Sequence, residues 1–259
     1  MMLRTVLLQV LVLVTTGATA SAGVIIVGTY TGTKTPKGRT VEFRIQDGRG
    51  KITSDPTQAI YYDHTKRTAY IVDKQKGTSL EMTEESAKRM GAQLGEAQRM
   101  MEQKLKELPP EKRAMVEQMM KEHGGAPPAG GRKPLVYTAS GRGKVGSWPC
   151  DEYAASGDGR TVEVCTADAA AVGIAAADLA VFEGFLDLSE KMAGEAAASG
   201  GLGSGPDRGF PGLPLERTES REGKVTDRFV IESIRTESIP ATDFQVPAGM
   251  KPVTPPPGR

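Results

Sequence analysis

Apolar and polar positions alternate from about residue 24 to residue 82, so this stretch reads as a meander of short strands. Val41, Phe43 and Ile45 alternate with polar neighbours and turn one strand face toward a core. Asp47-Gly48, Asp63-His64-Thr65-Lys66 and the polar run from Asp73 to Gly77 mark turns. Ile60-Tyr61-Tyr62 and Tyr70-Ile71-Val72 are apolar on both faces, as expected of strands covered on both sides.

At Thr83 the period becomes helical. Thr83 and Ser86 stand at capping positions, and Glu84-Glu85 place negative charge in a first turn. Ala87, Met90, Leu94, Ala97, Met101, Leu105 and Leu108 then recur every three or four residues as one stripe. A helix of this length, about 25 residues, is roughly 37 Å long. Pro109-Pro110 ends it, and Glu111 to Glu122 forms a second piece carrying Met115, Met119 and Met120. These segments make a helical insertion over 83–123, followed by a Gly/Pro/Ala linker over 124–133 that predicts mobility. Strands resume at Pro134 to Ala139, Trp148 to Ala155 and Arg160 to Ala167. A helix is predicted from about Asp168 to Ala197, with Leu179, Phe182, Phe185, Leu186, Leu188 and Met192 on its apolar face. A Gly-rich loop over 199–212 leads to a closing antiparallel pair, Leu213 to Ser220 and Lys224 to Ser238. The Pro-rich tail 252–259 is expected to be disordered. Strands interrupted by two helical excursions indicate an α+β protein built on an antiparallel sheet.

The N-terminus changes the picture of where the chain works. Arg4 precedes an apolar run from Val6 to Val14, and Ala20-Ser21-Ala22 offers small residues for cleavage. That order predicts a secretory signal over residues 1–22, too short in its apolar part for a bilayer span. The predicted mature chain is one domain over 23–251 plus the tail, periplasmic or secreted, with no transmembrane segment. Loss of Arg4 leaves it formally neutral, which argues against nucleic acid or anionic membrane as the main partner. Cys150 and Cys165 are the only cysteines, and in an oxidising compartment they are expected to form a disulfide. A two-residue loop at Gly157-Asp158 would set them face to face across a hairpin.

Gly146-x-Trp148-x-Cys150-x-x-Tyr153, Gly212-Leu213-Pro214-Leu215, Asp243-Phe244-x-Val246-Pro247-x-Gly249 and Pro109-Pro110-Glu111-Lys112-Arg113-Ala114-Met115 recur together in one chain. With these motifs the sequence resembles the exported bacterial domain-of-unknown-function family 4412. The resemblance implies a fold similar to the outer-membrane lipoprotein carriers: a curved antiparallel half-barrel with helices packing on its concave face, holding acyl chains between the two. It implies no catalytic residue.

Seven of the 11 methionines lie between Met82 and Met120. Met is flexible and polarisable and accepts varied apolar partners. Met90, Leu94, Met101, Leu105, Met115, Met119, Phe182 and Leu186 are therefore the candidate apolar binding stripe, for a lipid or an acylated protein. The alternatives are core packing of an amphipathic helix, and an exposed Met-rich helix used for protein–protein interaction in the envelope. Met119, Met120 and His123 offer soft ligands to copper, but too few for an exported copper site, so neither metal nor cofactor is expected. His64 reads as a solvated turn residue. Gly141-Arg142-Gly143-Lys144-Val145-Gly146 formally matches a dinucleotide fingerprint but leads into a strand, without the helix N-terminus that binds phosphate. No nucleophile stands beside a base, so the chain is expected not to be an enzyme. The oligomeric state stays open.

Overall fold

A computed structural model describes residues 22–33, 35–122, 135–157, 159–193 and 209–254. Twelve strands form one open, curved sheet in the order β12-β6-β5-β4-β3-β2-β1-β11-β10-β9-β8-β7. The strands are β1 (Gly23–Gly32), β2 (Thr35–Gln46), β3 (Arg49–Asp55), β4 (Gln58–Asp63), β5 (Thr68–Asp73), β6 (Thr78–Thr83), β7 (Thr138–Val145), β8 (Trp148–Gly157), β9 (Arg160–Ala167), β10 (Leu213–Arg221), β11 (Lys224–Glu237) and β12 (Lys251–Val253). All pairs are antiparallel except β12 on β6. The fold is α+β, as the alternation of strand and helix periods predicts.

Local chemistry sets the turns. Asp47 and Gly48 both take left-handed φ, 51° and 72°, and Gln46 pairs directly with Arg49. Two such residues make the turn whose twist matches a β-hairpin. Glu222 and Gly223 do the same between β10 and β11, at φ 51° and 75°.

Among the described residues three α-helices interrupt the meander: α1 (Glu84–Glu107), α2 (Pro110–Glu122) and α3 (Ala176–Ala193). Thr83 caps α1 by accepting from the Ser86 backbone N–H at 3.2 Å, while Ser86 Oγ accepts from the Thr83 N–H at 2.8 Å. The helix expected from Asp168 begins later. A short 3-10 turn, Ala170–Val172, comes first and is stopped by Gly173 at φ 83°, a conformation no helix continues through.

The first turns of α1 and the length of α3 pack on one face of the sheet. Their core joins Ile26, Phe43, Tyr62, Met82, Leu215 and Phe229 from strands to Ala87, Val181, Phe182 and Leu186 from α1 and α3. On the back face the C-terminal segment crosses the sheet. Ile239 and Phe244 bury Ile25, and Val246 and Met250 pack beside Tyr61 and Val72. Asp243 pairs with Arg44 and lies 3.5 Å from Lys51, and the Ile239 N–H donates to Gln46 Oε1 at 2.8 Å. This wrap explains why β4 and β5 are apolar on both sides.

Three expectations are corrected. Residues 252 and 253, read as the start of a disordered tail, belong to β12 because the Lys251 N–H donates to the Gly77 carbonyl and the segment pairs along β6. β7 starts at Thr138, not near 134, and runs through Gly141 and Gly143. The Glu152 side chain of β8 occupies the space their missing side chains leave, so the glycine-rich run is itself the strand. Finally, Cys150 and Cys165 do form a disulfide, with Cα atoms 5.5 Å apart, but they do not face each other. Gly157 pairs with Arg160, so the loop is residues 158–159 and Cys165 faces Glu152. Gly159, at φ 71°, takes the left-handed position that ends the loop, and the bridge joins a diagonal pair on one sheet face. The linker 124–133, most of the Gly-rich loop, His123 and the Met120 side chain lie outside the described residues.

Candidate functional site

The eight residues of the candidate stripe part company in the folded chain. Phe182 and Leu186 are buried core side chains of α3. Phe182 meets Phe43 edge-on at 5.3 Å between ring centroids. One pocket between β2–β4 and α3, bounded by Phe43, Ile45, Ile52, Val181, Phe182 and Phe185, is about 10 Å³. That is at most the room for one water molecule, and no acyl chain fits there. At α3 the floor and lid of the expected lipid groove are in direct contact.

The start of α1 is held to this core. Ala87 is fully buried and Met90 is half-buried against it. Gly91 and Gly95 are buried, consistent with close packing along that side of the helix. Beyond this anchor the apolar stripe rotates out of contact. Leu94 and Met101 are each 44% exposed, and Met100 is exposed beside them. Leu105 is buried near the end of the helix, where the Arg113 side chain of α2 donates to the carbonyls of Leu105 at 2.9 Å and Lys106 at 2.7 Å. This cap fastens α2 to the end of α1. Met115, 66% exposed, and Met119 follow on α2. Leu94 and Met101 are seven residues apart and Met115 and Met119 four apart, so each pair lies along one side of its helix. The helices together make a Met-rich arm rooted at one end in the core.

Beside the root of the arm is a cleft of about 200 Å³ lined by Tyr62, His64, Arg67, Glu84, Asp187 and Lys191, among others. Glu84 is its charge centre. Its carboxylate accepts from Lys191 at 2.6 Å and also faces Lys88 and Arg67, each at 3.3 Å. Hydrogen bonds from these three cations pull its pKa down to about 2. His64 is not the solvated turn residue that its polar neighbours predicted. It is half-buried, its ring lies edge-on to Tyr62 at 6.3 Å, and its Nδ1 is buried without a hydrogen-bond partner among the described residues. Gly184 of α3 permits this approach, since a Cβ there would stand 2.7 Å from Tyr62 Oη and 2.8 Å from His64 Nδ1. Burial raises the Tyr62 pKa, so the phenol stays protonated at neutral pH. No serine, threonine or cysteine is among the residues lining the cleft, and the hydroxyl that stands beside the imidazole there is the Tyr62 phenol.

The sequence reading missed this cleft. Its parts come from the β4–β5 turn, the first turn of α1 and the last turns of α3, and no local motif links them. Among the described residues no group of three or more His, Cys, Asp or Glu is arranged to hold a metal ion, and no helix is long and apolar enough to cross a membrane.

No protein-family model and no curated protein matches the chain. Among solved structures it is similar to MucB in complex with MucA(peri), with TM-score 0.38 and 13% identity over 90% of this chain and 57% of that one. A MucA/MucB complex from Pseudomonas aeruginosa gives 0.39 and 14% over 91% and 59%. A structure of PNGF-II gives 0.40 and 7% over 91% and 32%. The chain thus spans between about a third and three-fifths of the length of these proteins. At these scores the likenesses bear on neither activity nor partner.

Proposed function

We propose that the mature chain is a non-enzymatic binding protein of the bacterial envelope that holds a partner polypeptide against the Met-rich arm α1–α2. Membership of the exported family 4412 and removal of residues 1–22 are parts of the same proposal. The observation that supports it is the outward placement of Leu94, Met100, Met101, Met115 and Met119 on an arm whose root is clamped to α3. Large apolar side chains grouped on a surface lose free energy to water until something covers them, and grouped ones mark interaction sites. The spacing of Leu94 to Met101 and of Met115 to Met119 suits an amphipathic helix with one apolar side, which reads i, i+4 and i+7 anchors. Met side chains adapt to the shape laid on them. The pocket between β2–β4 and α3 holds about 10 Å³, which does not favour a lipid chain at that place.

The test is site-specific photo-crosslinking in the producing bacterium, from position 101 and, as a control, from position 66 in the β4–β5 turn. A discrete protein adduct from position 101 only, lost when Leu94→Asp is added, is the expected result. Adducts to lipid alone, or equal adducts from both positions, would overturn the proposal.

A further inference from the structure

Among the described residues, four of the five large apolar side chains that the arm exposes are methionines: Met100, Met101, Met115 and Met119. The other methionines with described side chains are shielded. Met82 is completely buried and its sulfur accepts a hydrogen bond from Ser86 Oγ at 3.3 Å. Met90 and Met192 are partly buried against the main core, and Met250 against the back-face cluster. Helix propensity does not explain the choice, because Leu and Met are nearly equal in a helix and fill similar volumes. Besides its flexibility, what distinguishes Met from Leu at an exposed position is its thioether, which oxidants convert to a polar sulfoxide.

Resting on the docking role proposed above, we infer that Met100, Met101 and Met115 are a peroxide-responsive modification site that turns the arm from apolar to polar. In the reaction a thioether sulfur attacks one oxygen of hydrogen peroxide. The O–O bond breaks and an S–O bond forms. The sulfur loses two electrons and the second oxygen leaves as water, taking up both peroxide hydrogens. Each sulfoxide places a strong hydrogen-bond acceptor where the partner's apolar side would lie, so oxidation opposes docking. The change is reversible by enzymes of the methionine sulfoxide reductase class. The core is exempt, because Met82 offers its sulfur no path to solvent while the fold is intact.

The experiment uses the folded mature chain, graded hydrogen peroxide, and a phenyl-substituted matrix as the apolar probe. Peptide mapping should find Met100, Met101 and Met115 one oxygen heavier at doses that leave Met82 unchanged. Over the same doses retention on the matrix should fall, with far-UV circular dichroism constant. The variant Met100→Leu/Met101→Leu/Met115→Leu should bind the matrix as the unoxidised chain does and keep most of that retention under peroxide. Oxidation of Met82 in step with the arm would overturn the inference, and so would an equal loss of retention in the wild type and the Leu variant. These readouts need no partner. If crosslinking fails while they hold, the docking role falls and the modification site stands.

Discussion

Lys191 Nζ donates to Glu84 Oε1 at 2.6 Å, joining the first turn of α1 to the last turn of α3 across 107 positions of sequence. This ion pair ties the start of α1 to the end of α3. Glu84 titrates near 2 in the folded chain against an ordinary value of 4.5. A depressed carboxylate contributes stability that is complete above the unfolded value and disappears as pH falls through the folded one. Glu84→Gln should therefore lower the urea midpoint at neutral pH, and the gap to wild type should close between about pH 4.5 and 2. A gap that stays constant with pH would show that the carboxylate charge is not what holds the two helices.

The candidate stripe mixes two kinds of residue, and substitutions should separate them. Phe182→Ala removes a buried ring in contact with Phe43 and should cost about 3–5 kcal/mol of stability. Leu94→Ala, on the exposed arm, should cost within about 0.5 kcal/mol. Denaturant unfolding of the two variants checks both. Similar losses would mean that Leu94 is part of the core.

The disulfide closes a loop with a sequence separation of 15. Its removal in Cys150→Ala/Cys165→Ala should destabilise the chain by roughly 3 kcal/mol, chiefly by freeing the unfolded state. Intact mass should also find the wild-type chain two hydrogens lighter before reduction than after.

Gly28 sits at the irregularity where β1 shifts register against β11, and a Cβ there would stand 2.6 Å from the Phe229 ring and 2.8 Å from the Val230 carbonyl oxygen. Neither can move freely, as Phe229 is buried and the carbonyl is backbone. Gly28→Ala should cost about 1–3 kcal/mol by thermal or urea unfolding, although alanine is the smallest side chain that can be added.

Much of the architecture was legible because its causes are local. The alternation of Val41, Phe43 and Ile45, the Asp47-Gly48 turn and the Thr83/Ser86 cap each act within a few residues, and each stands where the pattern placed it. The cysteine register was off by two positions because it depends on which glycine takes the left-handed φ, and Gly157 and Gly159 look alike as letters. Gly173 hid the delayed start of α3 in the same way.

The chain's own pattern, then, determined the α+β class, the antiparallel meander, the extent of α1 and the pairing of its two cysteines, since periodicity and turn chemistry are short-range. It could not say which side of the Met stripe meets the sheet. Only the tertiary structure decided that Ala87 and Met90 dock while Leu94 and Met101 stay in water, because the side chains that α1 packs against belong to β6 and α3, α3 lying far away in sequence. The same long-range packing filled the space between Phe43 and Phe182 and brought His64 beside Glu84. A helical stripe records how apolar a face is, and the contacts that cover or expose it belong to other parts of the chain.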